Sequence, residues 1–386
     1  MALSIFRKKS ANQSLPVQTV NSNWNMNPFR EMKKYVPGIS SNEMRLYSLL
    51  RESVPIIDAA INKTVRLVGG FRISCENPEV EKKLNKFLSN VKVNSSSCGV
   101  ESFMAIYLDQ LLTFGTAVGE MVTDVNGDTL SALYNANLND VALTLGENPL
   151  DLKICRKEKN RLYPLEYPEL VIVSSLNAEP GNAYGTSILK GLPFVSGILL
   201  TIYNTLGVNW ERVGNLRFAV TYKPGPDAGE KAYAKERAMQ VASEWQKTMS
   251  PSSPLSDFIA VGDVDIKVIG ADNQILDSQI PVRQMLEQIV AKLSIPPFLL
   301  GLSWSTTEKM STQQADILTS ELEYYRRILN PVISRICNMW LKLNGYFAEF
   351  DIIWDNINLQ DEVELANARL TMAKAVEIEK RLETSR

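Results

Sequence analysis

The sequence predicts an α+β fold, mainly helical, with small sheets and a compact α/β unit held between two helices. Three observations predict it. Apolar residues recur at three- and four-residue steps in long stretches near both ends of the chain, which marks amphipathic helices. Short alternating segments between about residues 118 and 175 mark strands, and a strand–helix–strand pattern over 216–275 separates two helical stretches.

At 386 residues the chain can bury a sizeable core in two or three domains, and 45% hydrophobic with 22% charged residues describes a globular protein. The net charge of -2 supplies no global basic field, so a DNA partner would not be held by bulk charge. The absence of histidine removes the commonest general acid/base, imidazole-dependent triads, and most zinc and iron sites. Carboxylate or lysine chemistry is what remains, and the expectation is a protein that is no enzyme, with no metal and no cofactor. Cys75, Cys98, Cys155 and Cys337 form no paired ligand pattern and are expected to be buried, reduced thiols, as suits a reducing cytoplasm. The N-terminal MALSIFRKKS lacks the apolar run of a signal peptide, so a protein made and used inside a cell is expected.

In chain order, residues 1–41 are rich in Asn, Ser, Gln and Pro and predict an arm that orders only against a partner, with Arg7, Lys8 and Lys9 able to touch phosphate. From Asn42, the residues Met44, Tyr47, Leu50, Val54, Ile57, Ile61, Val65 and Val68 make one helical face, kinked at Pro55 and ended by Gly69-Gly70. FRISC at 71–75 reads as a strand, and NPEVEKKLNKFLSN as a surface helix begun by Asn77 with Pro78 in its first turn. Glu101 to about Ala117 reads as a second apolar helix, with Gly115 and Gly119 suited to close packing or a turn. Asn126-Gly127 between VGEMVTDV and DTLSAL signals a hairpin, and further strands fit LNDVALTL, DLKICRK and ELVIVSS.

Tyr184 to Asn215 reads as a long helix whose apolar run, Ile188 to Val208, approaches bilayer-spanning length. Lys190, Pro193 and Asn204 favour a packed helix instead, and Gly191, Gly197 and Gly207 suggest that other backbones come close. The insert, Leu216 to Ile275, reads as strand RFAVTY, turn KPGPDAG, helix Ala232 to Met249, loop SPSSPLSD, and strands DFIAV and DIKVIG. A helix then follows in DSQIPVRQMLEQIVAKL and is stopped by Pro296-Pro297. After a loop, Leu318, Leu322, Tyr325, Leu329, Val332, Ile336, Met339 and Leu343 form a long stripe, with a kink or restart expected at Asn330-Pro331. FAEFDIIW reads as a strand, and Asp361 to about Leu382 as a helix.

Few motifs carry chemistry. Gly225 to Lys231 has the wrong spacing for a phosphate-binding loop, and in Asp124 to Asp128 the glycine comes two positions too early for a calcium loop, so a hairpin turn is expected there. Asp263 and Asp265 are the pair on which a metal-dependent nuclease could be built, although alternate acids on a strand more often form a solvated face. The loop from Gly301 to Ser311 carries Trp304 among small polar residues, and from spacing alone it is a helix connection.

Taken in order, LLTFGTAVGEMV at 111–122, YGTSILKGLPFVSGILL at 184–200, LSIPPFLLG at 293–301 and YYRRILNPVISRICNMW at 324–340 resemble the portal proteins of tailed bacteriophages, head-tail connectors of siphophage type, from about Asn42 to Glu364. The resemblance implies a flexible arm (1–41), a wing (42–183), a first stem helix (184–215), a clip (216–275), a second stem helix (276–295), a tunnel loop (296–311), a long wing helix and strand (312–355) and a short crown-like segment (356–386). It implies a homo-oligomeric ring, usually of twelve subunits, at one capsid vertex of the virion, through which double-stranded DNA is packaged and ejected. The implied partners are the terminase large subunit, the head-tail adaptor, the major capsid protein and a scaffold protein, with no membrane.

By position, the tunnel loop would present Ser303, Trp304, Ser305, Thr306, Thr307, Glu308 and Lys309 to DNA, and the second stem helix would line the channel with Gln279, Arg283, Gln284 and Glu287. The clip loops would offer Lys223, Pro224, Asp227, Ser252, Ser253 and Asp257 to terminase and adaptor. The alternatives are another ring-forming head or tail protein without a DNA channel, and the carboxylate-dependent nuclease.

Overall fold

The computed structural model describes residues 41–146, 148, 150–158, 161–214, 217–222, 233–248, 264–269, 278–302 and 308–357. The chain divides into two compact units, one formed by Met1–Ser196 with Leu286–Arg386 and the other by Gly197–Met285.

The larger unit begins with α1 (Ser41–Ser53) and α2 (Pro55–Leu67). The single kinked helix expected here is two helices. Proline drives its predecessor out of the helical region, so Val54 sits at φ -124°, ψ 87°, and Pro55 becomes the first residue of a new helix. The apolar face survives the break, with Met44, Tyr47, Leu50, Val54, Ile57, Ile61 and Val68 all buried. Arg51 clasps the corner: its Nε donates to Asp58 at 2.8 Å and its guanidinium donates to Asp109 and Thr113, each at 2.7 Å.

Strand β1 (Phe71–Cys75) leads to α3 (Pro78–Asn90), whose Asn77 cap accepts a hydrogen bond from the Glu79 amide at 3.0 Å, as the Asn-Pro start predicts. The short strands β2 (Lys92–Val93) and β3 (Ser97–Cys98) precede α4 (Val100–Phe114). That helix stops three residues before the expected Ala117, because Gly115 turns left-handed at φ 77° and the chain passes directly into β4 (Thr116–Thr123). Gly119 in β4 leaves room for the Phe103 ring, which sits where its Cβ would be.

The hairpin to β5 (Leu130–Asn135) closes through six residues: Asp124 accepts from the amides of Asp128 and Thr129, and Gly127 takes φ 79°. The Asp124 carboxylate is thus a turn cap. With β9 (Val171–Ser175) these strands form a five-stranded sheet, order β3-β2-β5-β4-β9. A separate antiparallel sheet of three holds β6 (Val141–Leu145), β7 (Leu152–Glu158) and β8 (Arg161–Pro164). β8 was not expected. It is a wholly exposed edge strand, so no apolar alternation marks it.

The expected helix from Tyr184 begins later, as α5 (Leu192–Gly214), with Pro193 in its first turn. Residues 184–191 instead form an irregular crossing in which Gly185 passes against Gly115. Gly197 and Gly207, expected beneath close backbones, have nothing within 4 Å of a built Cβ. Most of α5 is exposed: Phe194, Tyr203 and Trp210 are 77%, 45% and 63% accessible. Among the described residues, Leu192–Glu211 is long and apolar enough to cross a membrane by length and composition.

In the smaller unit, β10 (Arg217–Tyr222) pairs antiparallel with β11 (Val264–Ile269), and α6 (Ala234–Thr248) packs on β10. The DFIAV strand and both loops of this insert lie outside the described residues, as do the N-terminal arm and the C-terminal helix expected from Asp361.

Helix α7 (Gln279–Leu293) ends where expected, with Ser294 at φ 54° and a 3-10 turn over Pro297–Leu300. Helix α8 (Glu308–Leu343) then runs 36 residues without a restart. Asn330 does not cap a new helix, because its side-chain oxygen accepts instead from the Trp354 indole at 2.8 Å. The last described strand, β12 (Phe350–Trp354), pairs with β1 in the register Phe71↔Trp354.

Two cysteines depart from expectation: Cys98 is exposed and Cys75 half-buried, while Cys155 and Cys337 are buried. Burial, with a smaller contribution from Cys75, pushes the Cys337 thiol up to about 12. Since the thiolate is the nucleophile, iodoacetamide at pH 8 should alkylate Cys98 first and leave Cys337 unmodified over the same interval. Peptide mass spectrometry checks this, and equal labelling of the two would contradict the packing around Cys337.

Candidate functional site

The segment from α7 to α8 gathers the residues expected to face DNA. On α7, Gln279, Arg283 and Glu287 follow one another at four-residue steps, which places them along one helical face, and Gln284 lies beside Arg283. All four are exposed. The face carries one cation and one carboxylate among amides, so it has no net charge. The structure therefore brings the four expected residues onto one side of α7, where they carry no net charge and share the surface with the exposed Ile280.

The last turns of α7 are apolar and buried, with Ile289, Val290 and Leu293 at 0%, 5% and 6% accessibility. Ile295 and Pro296 continue that burial, and the 3-10 turn that follows packs on α2. Gly301 closes it at φ 75°, and the Leu302 amide donates back to the Pro297 carbonyl at 3.0 Å. LSIPPFLLG is thus an anchor that fixes where the chain leaves the core. Ser303, Trp304, Ser305, Thr306 and Thr307 lie outside the described residues, while Glu308 and Lys309 open α8. The six clip-loop residues, Lys223, Pro224, Asp227, Ser252, Ser253 and Asp257, also lie outside them.

On the far side of the loop, Ala315, Leu318, Leu322 and Leu329 root α8 in the core. Burial, with smaller contributions from Glu321 and Tyr324, pushes the Tyr325 phenol up to about 12, so that residue is a neutral packing element. Beside it, Arg326 is 4% exposed and ties three distant segments. Its Nε and Nη2 donate to the Val68 carbonyl at 2.9 and 2.7 Å, Nη2 donates to the Asp355 carbonyl at 2.7 Å, and Nη1 donates to Glu323 at 3.0 Å. The guanidinium also lies 5.1 Å from the centre of the Trp354 ring. No role for Arg326 was read from the sequence. The available signal was its place, four residues after Leu322 and three before Leu329, which puts an arginine on the apolar stripe.

Among the described residues no three His, Cys, Asp or Glu side chains gather to hold a metal ion. Asp265 lies in β11 opposite Thr221, and Asp263 is outside the described residues. A cavity of about 700 Å3 beside α1 and β6 is lined by Glu43, Tyr47, Glu179, Tyr184 and Lys190 among others, with the Tyr184 hydroxyl accepting from the Leu143 amide at 2.8 Å.

No family model and no curated protein matches the chain. Solved structures do. A chain from the virion of a native gene transfer agent particle aligns at TM-score 0.62 and 16% identity, covering 89% of this chain and 91% of that one. A chain from the neck of the native particle, computed with C12 symmetry, aligns at TM-score 0.56 and 15% identity over 83% and 88%. An HK97-family phage portal protein from Corynebacterium diphtheriae aligns at TM-score 0.42 and 11% identity over 83% and 96%, too loosely to add weight. The fold is therefore the α+β arrangement expected from the sequence, a helical frame with small sheets, and it is shared with the gene transfer agent chains. Its likeness to the gene transfer agent chains runs nearly end to end in each molecule.

Proposed function

We propose that this chain is the portal protein of a tailed-phage-like particle: a structural, non-enzymatic virion component that forms a ring, of twelve subunits, around a channel for double-stranded DNA. The observation that carries the reading is the near end-to-end likeness in fold to a neck component computed with C12 symmetry. Two features of this chain support it. Helix α5 leaves Phe194, Tyr203 and Trp210 exposed, more apolar surface than a helix keeps in water without a partner. The exposed side of α7 carries no net charge, which suits a conduit, since tight phosphate contacts would add salt-dependent affinity and slow a sliding duplex.

In this reading the tunnel loop, Ser303 to Lys309, contacts DNA loosely through polar groups and Lys309. The clip loops at 223–229 and 250–257 dock the terminase large subunit during packaging and the head-tail adaptor afterwards. The wing meets the major capsid protein and, during assembly, a scaffold.

The test is imaging of the purified protein, with packaging measured in parallel. Averaged top views should show twelve-fold rings with a bore wide enough for duplex DNA, and a bore too narrow would favour a ring-forming protein without a channel. Removing residues 303–307 should leave the rings intact while lowering DNA content several-fold. Unchanged DNA content in the deletion would sink the assigned loop role.

A further inference from the structure

Helix α8 and the turn that follows it carry two unlike features. Pro331, Ser334, Arg335, Asn338, Met339 and Lys342 line a groove of about 450 Å3. Their three- and four-residue spacing puts them on one face, with Pro331 exposed at its head and Lys342 and Arg335 along it, the Arg335 guanidinium also donating to the Glu169 carbonyl at 2.9 Å. Trp340 comes nine residues after Pro331, two and a half turns at about 3.6 residues per turn, and so points the other way.

The turn that follows the helix is held by Trp340 and presents a knob. Trp340 stacks on Phe87 of α3 with ring centres 5.7 Å apart, and Tyr346 stacks on Trp340 at 5.8 Å. Lys83 donates to the Tyr346 hydroxyl at 3.0 Å. The Tyr346 amide donates to the Leu341 carbonyl at 2.9 Å, with Gly345 left-handed at φ 70°. The next residue, Phe347, is 100% exposed, and the exposed Glu349 follows it. A flexible loop can fold an apolar side chain back onto its own surface. This turn is pinned by stacked rings and backbone hydrogen bonds, and its phenylalanine stays in water.

We infer that Phe347 of one copy of this chain seats in the α8 groove of the next. The two surfaces complement one another in chemistry, an acid-flanked aromatic knob facing an apolar groove with basic edges. They are different surfaces of one chain, so the contact is heterologous, an arrangement that closes into a ring where the rotation between copies allows it. A phenylalanine covers about 150–250 Å2 when buried, well below the roughly 1,200–2,000 Å2 of a stable interface. Phe347 is therefore the anchor within a larger contact. The inference deepens the ring reading above by naming the surfaces that meet.

The test uses the full chain. Phe347→Ala should raise the concentration for half-assembly about 30-fold or more, as loss of a central aromatic anchor does. Glu349→Lys should weaken assembly several-fold, and adding Lys342→Glu should restore it. In a Cys98→Ser background, Phe347→Cys combined with Met339→Cys should give, on mild oxidation, a ladder of disulfide-linked copies that neither single variant gives beyond the dimer. Rings without a ladder, or with assembly insensitive to Phe347→Ala, overturn the contact and leave the ring reading standing. A ladder without rings upholds the contact and overturns the ring reading, and neither ladder nor rings overturns both.

Discussion

Replacing Arg326 with methionine should destabilise the larger unit by about 2–4 kcal/mol, from one buried carbonyl left without its donor and the other bonds of the guanidinium lost. The methionine would fill much of the same space but leave the buried Val68 carbonyl without its donor, at roughly 1–3 kcal/mol, while the carbonyl of the exposed Asp355 can turn to water. Arg326→Lys should recover less than half of the loss. A lysine is a point charge on a flexible stem, whereas the planar fork serves three acceptors at fixed angles. Glu323→Gln should cost under about 1 kcal/mol, because that partner is 52% exposed and water screens the pair. Urea unfolding followed by tryptophan fluorescence measures all three, with Trp354 close enough to the guanidinium to report on the site. Equal midpoints for Arg326→Met and Glu323→Gln would show that the three-way tie contributes nothing.

Arg326 also matters for the loop assigned to DNA. The helix that carries it begins where residues 303–307 end, and the C-terminal end of α2 that it grips belongs to the helix under the Pro297–Leu300 turn where that loop begins. Arg326 therefore helps to hold both roots of the loop on one frame. Loosening it should blur the loop's position before the unit unfolds.

Local chemistry in the sequence accounts for most of the elements. Asn77-Pro78 starts α3, Gly115 ends α4, Pro296-Pro297 ends α7, and the β-branched run in VIVSS and the alternation in FRISC make strands. What local chemistry leaves open is partnership. Nothing in FRISC says that its partner is FDIIW at the other end of the described chain, because a strand's pattern encodes its own faces and not its neighbour. The apolar run in α5 marks a helix, but the same run suits a core, a membrane or a subunit contact, and only the structure shows that its own chain leaves Phe194 and Trp210 uncovered. At the proposed site, the α7 residues were named by the resemblance alone, and the helix then places them at four-residue steps. Arg326 was hidden beside Arg327, which is exposed, and only helical phase separates the two.

Gly185→Ala should cost about 3 kcal/mol or more, at the upper end for forcing atoms into a packed site. The two sequence motifs around Gly115 and Gly185 touch each other, which gives a physical reason for both glycines. An alanine Cβ at 185 would fall well inside contact with the Gly115 carbonyl oxygen and with the backbone of Leu176. None of these is the tip of a flexible side chain that could swing aside. They are held by the Leu176 amide donating to the Gly115 carbonyl at 2.7 Å, the Thr186 amide donating to the Leu176 carbonyl at 2.6 Å, and the Gly185 amide donating to Thr116 Oγ1 at 2.9 Å. Gly181→Ala separates this steric effect from backbone strain: Gly181 sits at φ 80° in open space, so its substitution should cost only about 1 kcal/mol. Thermal unfolding of the two variants gives the comparison. This crossing also sets where the chain departs the five-stranded sheet toward α5, the helix proposed to pack between copies. Gly185→Ala should therefore lower ring yield along with stability, while Gly181→Ala should leave ring yield unchanged. Equal losses in the two variants would mean that the Gly115–Gly185 approach is not the close contact described.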